Sequence, residues 1–163
     1  MMLFTNRKVL IAEDDSMFRE ILVTGCEQSG FQVVAAVDNG REAIQQAIKH
    51  KPDVVLLDIE MPHYTGLEVA CVLHAKLPEL SLVLISGCIS RRRATEALRM
   101  GVSGLIDKTT DSVRHIIRQA IPCALQGERY ISQDLQKRLL LEATNRKGRE
   151  EGEPACIREA ATT

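Results

Sequence analysis

Short, continuous runs of Val, Ile and Leu alternate along this chain with longer amphipathic stretches, and that alternation restricts the fold more than any other feature. The apolar runs at residues 9–12, 31–37, 54–57, 82–85 and 104–106 read as strands covered on both faces. Between them, residues 16–29, 40–50, 66–76, 91–100 and 111–125 read as helices. Gly30 and Gly101 fall where helices should stop, and Pro52 and Pro78 sit in connections. Five β–α repeats imply an α/β fold, a doubly wound five-stranded parallel sheet with helices on both faces. In such sheets ligands bind beyond the carboxyl ends of the strands, where strand order reverses.

Those carboxyl ends carry most of the chain's reactive residues. The first strand runs into Glu13-Asp14-Asp15, the third into Asp58, the fourth into Ser86 and the fifth into Asp107-Lys108. A parallel sheet brings them to one rim. Carboxylates about 4 Å apart repel by roughly 4 kcal/mol at an effective dielectric near 20, so a proton or a cation must neutralise them. An all-oxygen donor set with room for water suits Mg²⁺, with Asp14, Asp15 and Asp58 as the expected ligands. Asp58 is then a plausible nucleophile for an acyl phosphate, with Lys108 and Ser86 placed to meet phosphoryl oxygens as charge builds on them.

These residues also carry a resemblance. The segments VLIAEDD, VVLLDIEMPHYTGLE, LISG and GVSGLIDK resemble the receiver domain of bacterial response regulators, over roughly residues 7–125. The resemblance implies a flavodoxin-like fold and a two-component phosphorelay in which Asp58 accepts phosphate from a sensor histidine kinase. It implies Asp14 and Asp15 as the acidic metal pair, and the Glu60 main-chain carbonyl as a further Mg²⁺ ligand. Ser86 and Lys108 match the family's hydroxyl and lysine positions. Leu105 stands where the family usually has a switching Tyr or Phe, and Thr109 where many members have Pro, so the switch is expected to differ from the usual one. The family catalyses only its own phosphorylation and dephosphorylation, and a homodimer on phosphorylation is the expected response.

Composition narrows the rest. Aromatics are 3% with no Trp, which disfavours broad base-stacking surfaces, and a formal net charge of −1 argues against coating nucleic acid or anionic membrane. Cys26, Cys71, Cys88, Cys123 and Cys156 lack metal-binding spacing and read as reduced thiols, consistent with a cytoplasmic protein. No signal peptide or membrane-length apolar segment is legible.

After the expected receiver at 1–125, residues 126–144 read as a linker with a helix over 132–144, N-capped by Ser132, and 145–163 as a disordered tail. The segment 111–141 is similar to the linker of regulators bearing a LuxR-type helix-turn-helix. About twenty residues follow Thr144, so a truncated or effector-less transcriptional regulator without DNA binding of its own is expected. Arg91-Arg92-Arg93 opens a helix against its dipole; it reads first as a solvated helix start, and the alternative places it on the switching face, pairing with acids of a partner or second subunit. A phosphatase of the haloacid dehalogenase type is the alternative, although Asp58-Ile59-Glu60 lacks that class's D-x-D motif.

Overall fold

All strands of the sheet are parallel and lie in the order β2-β1-β3-β4-β5-β6. They are β1 (Lys8–Ala12), β2 (Gln32–Val37), β3 (Val54–Asp58), β4 (Ser81–Ser86), β5 (Gly104–Asp107) and β6 (Tyr130–Ile131). The computed structural model describes residues 4–150, with side chains to residue 145. It divides into two compact units, Met1–Ser132 and Gln133–Thr163.

The first unit follows the alternation in the sequence. The helices are α1 (Ser16–Gln28), α2 (Gly40–His50), α3 (Gly66–Lys76) and α4 (Arg91–Arg99), then a helical run over 113–125. Period-two alternation sorts the strand residues between two cores. Val9, Ile11, Leu56, Val83, Ile85 and Ile106 pack with Leu22 and Cys26 of α1 and with Ile116, Ile117 and Ile121 of the 113–125 run. Leu10, Val55, Leu57, Leu84 and Leu105 are buried as well and, by the same alternation, point to the opposite face. Burying each such side chain contributes roughly 1.5–3 kcal/mol, and with so few aromatics this aliphatic burial supplies most of the driving force.

Helix starts follow local chemistry. Asp15, Asn39, Thr65, Ser90 and Ser112 each accept a main-chain N–H from the first turn, and Thr65 forms a reciprocal capping box with Glu68. The 113–125 run is less regular. It comprises α5 (Val113–His115), a π turn (Ile116–Ala120) and α6 (Ile121–Leu125). Pro122 has no N–H to donate and its ring crowds the carbonyl four residues back, so a widened turn just ahead of it is a natural accommodation.

The sheet has a sixth strand where five were expected. β6 is only two residues long, with Tyr130 opposite Gly104 and Ile131 opposite Leu105. It falls in the segment read as linker, so the compact unit ends at Ser132 instead of residue 125. His115 Nε2 lies 2.5 Å from the Tyr130 hydroxyl, which ties β6 to the start of the 113–125 run. Ser132, expected as an N-cap, turns its hydroxyl to the Asp107 N–H.

The described residues of the second unit form a helix, α7 (Gln133–Glu150). It runs through residues 145–150, which had been expected in the disordered tail. The remainder of that tail, with Cys156, lies outside the described residues. Among the described residues no helix is long and apolar enough to cross a membrane.

Gly66 shows how closely the elements that carry the site are fitted. A Cβ there would lie 2.3 Å from the Asp58 carbonyl oxygen and 2.7 Å from Ile59 Cα, both rigid backbone atoms. Gly66→Ala is therefore expected to lower the unfolding free energy by roughly 1–3 kcal/mol, measured as a reduced urea midpoint at unchanged slope.

Candidate functional site

Strand order reverses between β1 and β3, and the residues that follow those two strands form the centre of the site. β1 ends at Ala12, so Glu13 is the first residue over the rim. Its side chain is 1% exposed, and its Oε1 accepts the Asp15 N–H at 3.1 Å. Arg19 Nη1 holds the Glu13 carbonyl at 2.8 Å. β3 ends in Asp58, 3% exposed, whose Oδ1 accepts the Glu60 N–H at 3.1 Å. Ser86 closes β4, and its buried Oγ accepts the Cys88 N–H at 3.1 Å.

Lys108, immediately past β5, ties these strands together. Its Nζ lies 3.2 Å from Asp58 Oδ2 and 2.6 Å from Glu13 Oε2. The second contact is an ion pair without aligned hydrogen-bond geometry, so Oε2 relies on charge alone. The ammonium also sits 5.0 Å from the centre of the Phe18 ring, a cation–π contact from α1. Asp14, Asp15, Asp58, Glu60, Gly87 and Lys108 line an open cleft of about 470 Å³.

Three carboxylates offer oxygens within 4.8 Å of one another: Glu13, Asp14 and Asp58. The expected trio contained Asp15 in place of Glu13, and this is corrected by the geometry. Asp15 Oδ1 accepts the Phe18 N–H at 3.0 Å and caps α1. It borders the cleft but does not join the cluster. The reason is positional, since α1 begins at Ser16 and the residue before it must satisfy the helix's first N–H groups.

The electrostatics follow from burial. Desolvation first, then the neighbouring Glu13 and Asp14 carboxyls, push Asp58 from 3.8 to about 8, and the Glu60 N–H works in the opposite direction. Desolvation pulls the Lys108 ammonium down, but contact with Glu13 and the charge of Asp58 outweigh it and hold Lys108 above the ordinary lysine range.

The remaining expected residues are placed as follows. Leu105 is fully buried in β5 between Leu84 and Ile131. The Glu60 side chain meets Arg93 Nη1 at 3.2 Å. One member of the arginine run thus pairs within the chain. Sequence reading placed Glu13 at the rim without counting it among the expected ligands, and it missed Phe18 and this Arg93–Glu60 bridge. Glu13 could have been found by counting from the strand end instead of choosing the Asp doublet, whereas nothing in the sequence pairs positions 93 and 60. A larger groove of about 720 Å³ runs between α1 and the 113–125 run, lined by Met17, Ile21, Gly25, Val113 and Arg118 among others. It holds no carboxylate cluster, so chemistry is assigned to the smaller cleft.

Comparison with known proteins defines the class. Residues 9–120 match the response regulator receiver domain family, and the chain belongs to it. It is a receiver domain of a two-component response regulator, a signalling domain by class. Among relatives, the response regulator GacA of Pseudomonas syringae is 32% identical over 137 residues, 83% of this chain and 63% of that protein. The chemotaxis protein CheY of Listeria monocytogenes is 34% identical over 101 residues, covering 62% of this chain and 85% of that one. A DNA-binding response regulator of the LuxR family from Staphylococcus aureus superposes with a TM-score of 0.68 at 28% identity, covering 73% of this chain and 98% of the other. The chain spans only 63% of the length of GacA. The haloacid dehalogenase alternative finds no support: the match is to receivers, and Glu60 is engaged by Arg93.

The raised Asp58 pKa has a signed consequence for stability. Unfolded Asp58 ionises near 4 but folded Asp58 near 8, so the folded state keeps a proton that the unfolded state has released. Its contribution is full below the unfolded pKa and is lost as pH rises towards about 8. In the presence of a chelator, the urea midpoint is expected to fall between pH 5 and pH 8, and Asp58→Asn should flatten that slope.

Proposed function

We propose that Asp58 accepts a phosphoryl group from the phosphohistidine of a sensor kinase, and that this changes the conformation or association of the chain. The observation that carries this reading is a buried Asp58 with the Lys108 ammonium 3.2 Å from one oxygen and with carboxylate oxygens of Glu13 and Asp14 within 4.8 Å.

The donor set fits a hard divalent cation. Three carboxylate oxygens converge, Asp14 is exposed to the open cleft, and Asp58 resists ionisation with the Lys108 ammonium beside it. Glu13, Asp14 and Asp58 would hold Mg²⁺, with the Glu60 carbonyl as a further ligand and Asp15 at the border. When bound, the ion supplies positive charge that favours ionised Asp58 and neutralises phosphoryl oxygens.

Transfer then follows from the chain's own groups. An Asp58 carboxylate oxygen forms a new O–P bond as the P–N bond of phosphohistidine breaks, and the electron pair leaves on the imidazole. Lys108, already at the carboxylate, neutralises charge on the transferred group. Ser86 ends the adjacent strand, and its hydroxyl can donate to a third phosphoryl oxygen. Leu105, on the next strand opposite Leu84, is the residue through which an inward movement of Ser86 would be felt.

Output is proposed to pass through protein contacts, including a phosphorylation-driven homodimer, without direct DNA binding by this chain. Among the described residues, those after Ser132 form the helix α7. The proposed setting is the cytoplasm, where kinase and regulator meet.

Native mass spectrometry with acetyl phosphate and Mg²⁺ tests the reading. One phosphoryl mass is expected on this protein and none on Asp58→Asn, and chelator should abolish the gain. Lys108→Ala is expected to slow uptake about 100-fold, the scale lost when a charge-stabilising group is removed from a transfer site. An unchanged mass in wild-type protein, or equal gain in Asp58→Asn, would overturn it.

A further inference from the structure

Ser132 lies beyond the residues that match the receiver family, yet its side chain is buried against the strand that carries Lys108. Its Oγ accepts the Asp107 N–H at 2.9 Å and donates its own proton to Asp111 Oδ2. The local ladder explains why a hydroxyl is needed there. Tyr130 N–H donates to the Ser103 carbonyl and Ser132 N–H to the Leu105 carbonyl, and then β6 ends. The Asp107 amide, buried at the last position of β5, receives a side-chain oxygen in place of a main-chain one.

Asp107 is held from other directions as well. Its Oδ1 accepts the Thr109 N–H at 2.8 Å, and the Lys108 N–H donates to the Ser86 carbonyl at 2.9 Å. The main chain is therefore fixed on both sides of the Lys108 Cα, by Ser132 before it and by the Asp107 carboxylate after it. From that Cα the side chain reaches Asp58 and Glu13. A buried amide that loses its acceptor must find another, and the nearest way to do so is to move the end of β5.

We propose that Ser132 is a positioning residue for Lys108, so that phosphoryl transfer at Asp58 depends on a residue outside the matched receiver segment. The effect on transfer rests on the reading of Asp58 as acceptor; the effect on Lys108 does not.

Two readouts on the full chain keep these separate. The first is the side-chain NMR resonance of Lys108 with no phosphoryl donor present. The second is the rate of phosphoryl uptake from acetyl phosphate with Mg²⁺. Ser132→Ala is expected to shift the Lys108 resonance and to slow uptake about fivefold. Thr144→Ala, which removes a hydroxyl bonded only within α7, should change neither. Should Ser132→Ala not fold, Asp111→Ala removes the acceptor of the Ser132 proton and is expected to shift both readouts in the same direction by less. A Lys108 resonance unmoved in the folded variant overturns the proposal, and so does a shifted resonance with wild-type uptake. If the wild-type chain takes up no phosphoryl group, the Asp58 reading fails, while the resonance still decides whether Ser132 holds Lys108.

Discussion

The site depends on one partly buried ammonium. Lys108 stands between Glu13 and Asp58, whose side chains are 1% and 3% exposed, and offsets the charge of Glu13 and the charge that Asp58 gains when it ionises. Such an arrangement is a poor source of stability, because desolvating charged groups costs about as much as their attraction returns. Its significance is functional. One extra negative group at Asp58 would change which partner the ammonium serves, and every strand end around it would feel the difference. By contrast, the Arg93–Glu60 pair is roughly half exposed at both ends and contributes at most about 1 kcal/mol, so it trims the geometry of the cleft without determining it.

The fold supplies what this charge cluster needs. Parallel strands bring Glu13, Asp58, Ser86 and Lys108, distant in sequence, to one rim. Aliphatic layers on both faces hold that rim rigid, and Gly66 lets the start of α3 rest directly on the backbone of Asp58 and Ile59. The chemistry therefore sits on strand ends, where position is well determined, and the cleft opens where strand order reverses.

Most of the sheet was legible because its strands are fully buried and read as unbroken apolar runs. α2 and α3 begin and end where their caps and periodicity place them. What was not legible has identifiable causes. β6 is two residues long and has no period to detect, and it exists because Gly104 and Leu105 offer an open strand edge. The π turn answers Pro122, which lies inside the stretch 111–125 read as one continuous helix. At the site, Asp58, Ser86 and Lys108 were legible from their positions after apolar runs. The acidic partner was misjudged by one residue, because an Asp-Asp doublet is conspicuous while the helix that begins at Ser16 claims the second Asp as its cap.

The His115–Tyr130 contact has a consequence for observing this molecule. The chain has two tyrosines and no tryptophan, so its intrinsic ultraviolet emission comes from Tyr64 and Tyr130 alone. Tyr64 is on the surface, while Tyr130 lies in β6 with its hydroxyl on the His115 ring. Phe substituted for Tyr64 would leave a single native chromophore on the outermost strand, two residues from Ser132. Light emitted by that ring would report the condition of the sheet's far edge with no dye attached.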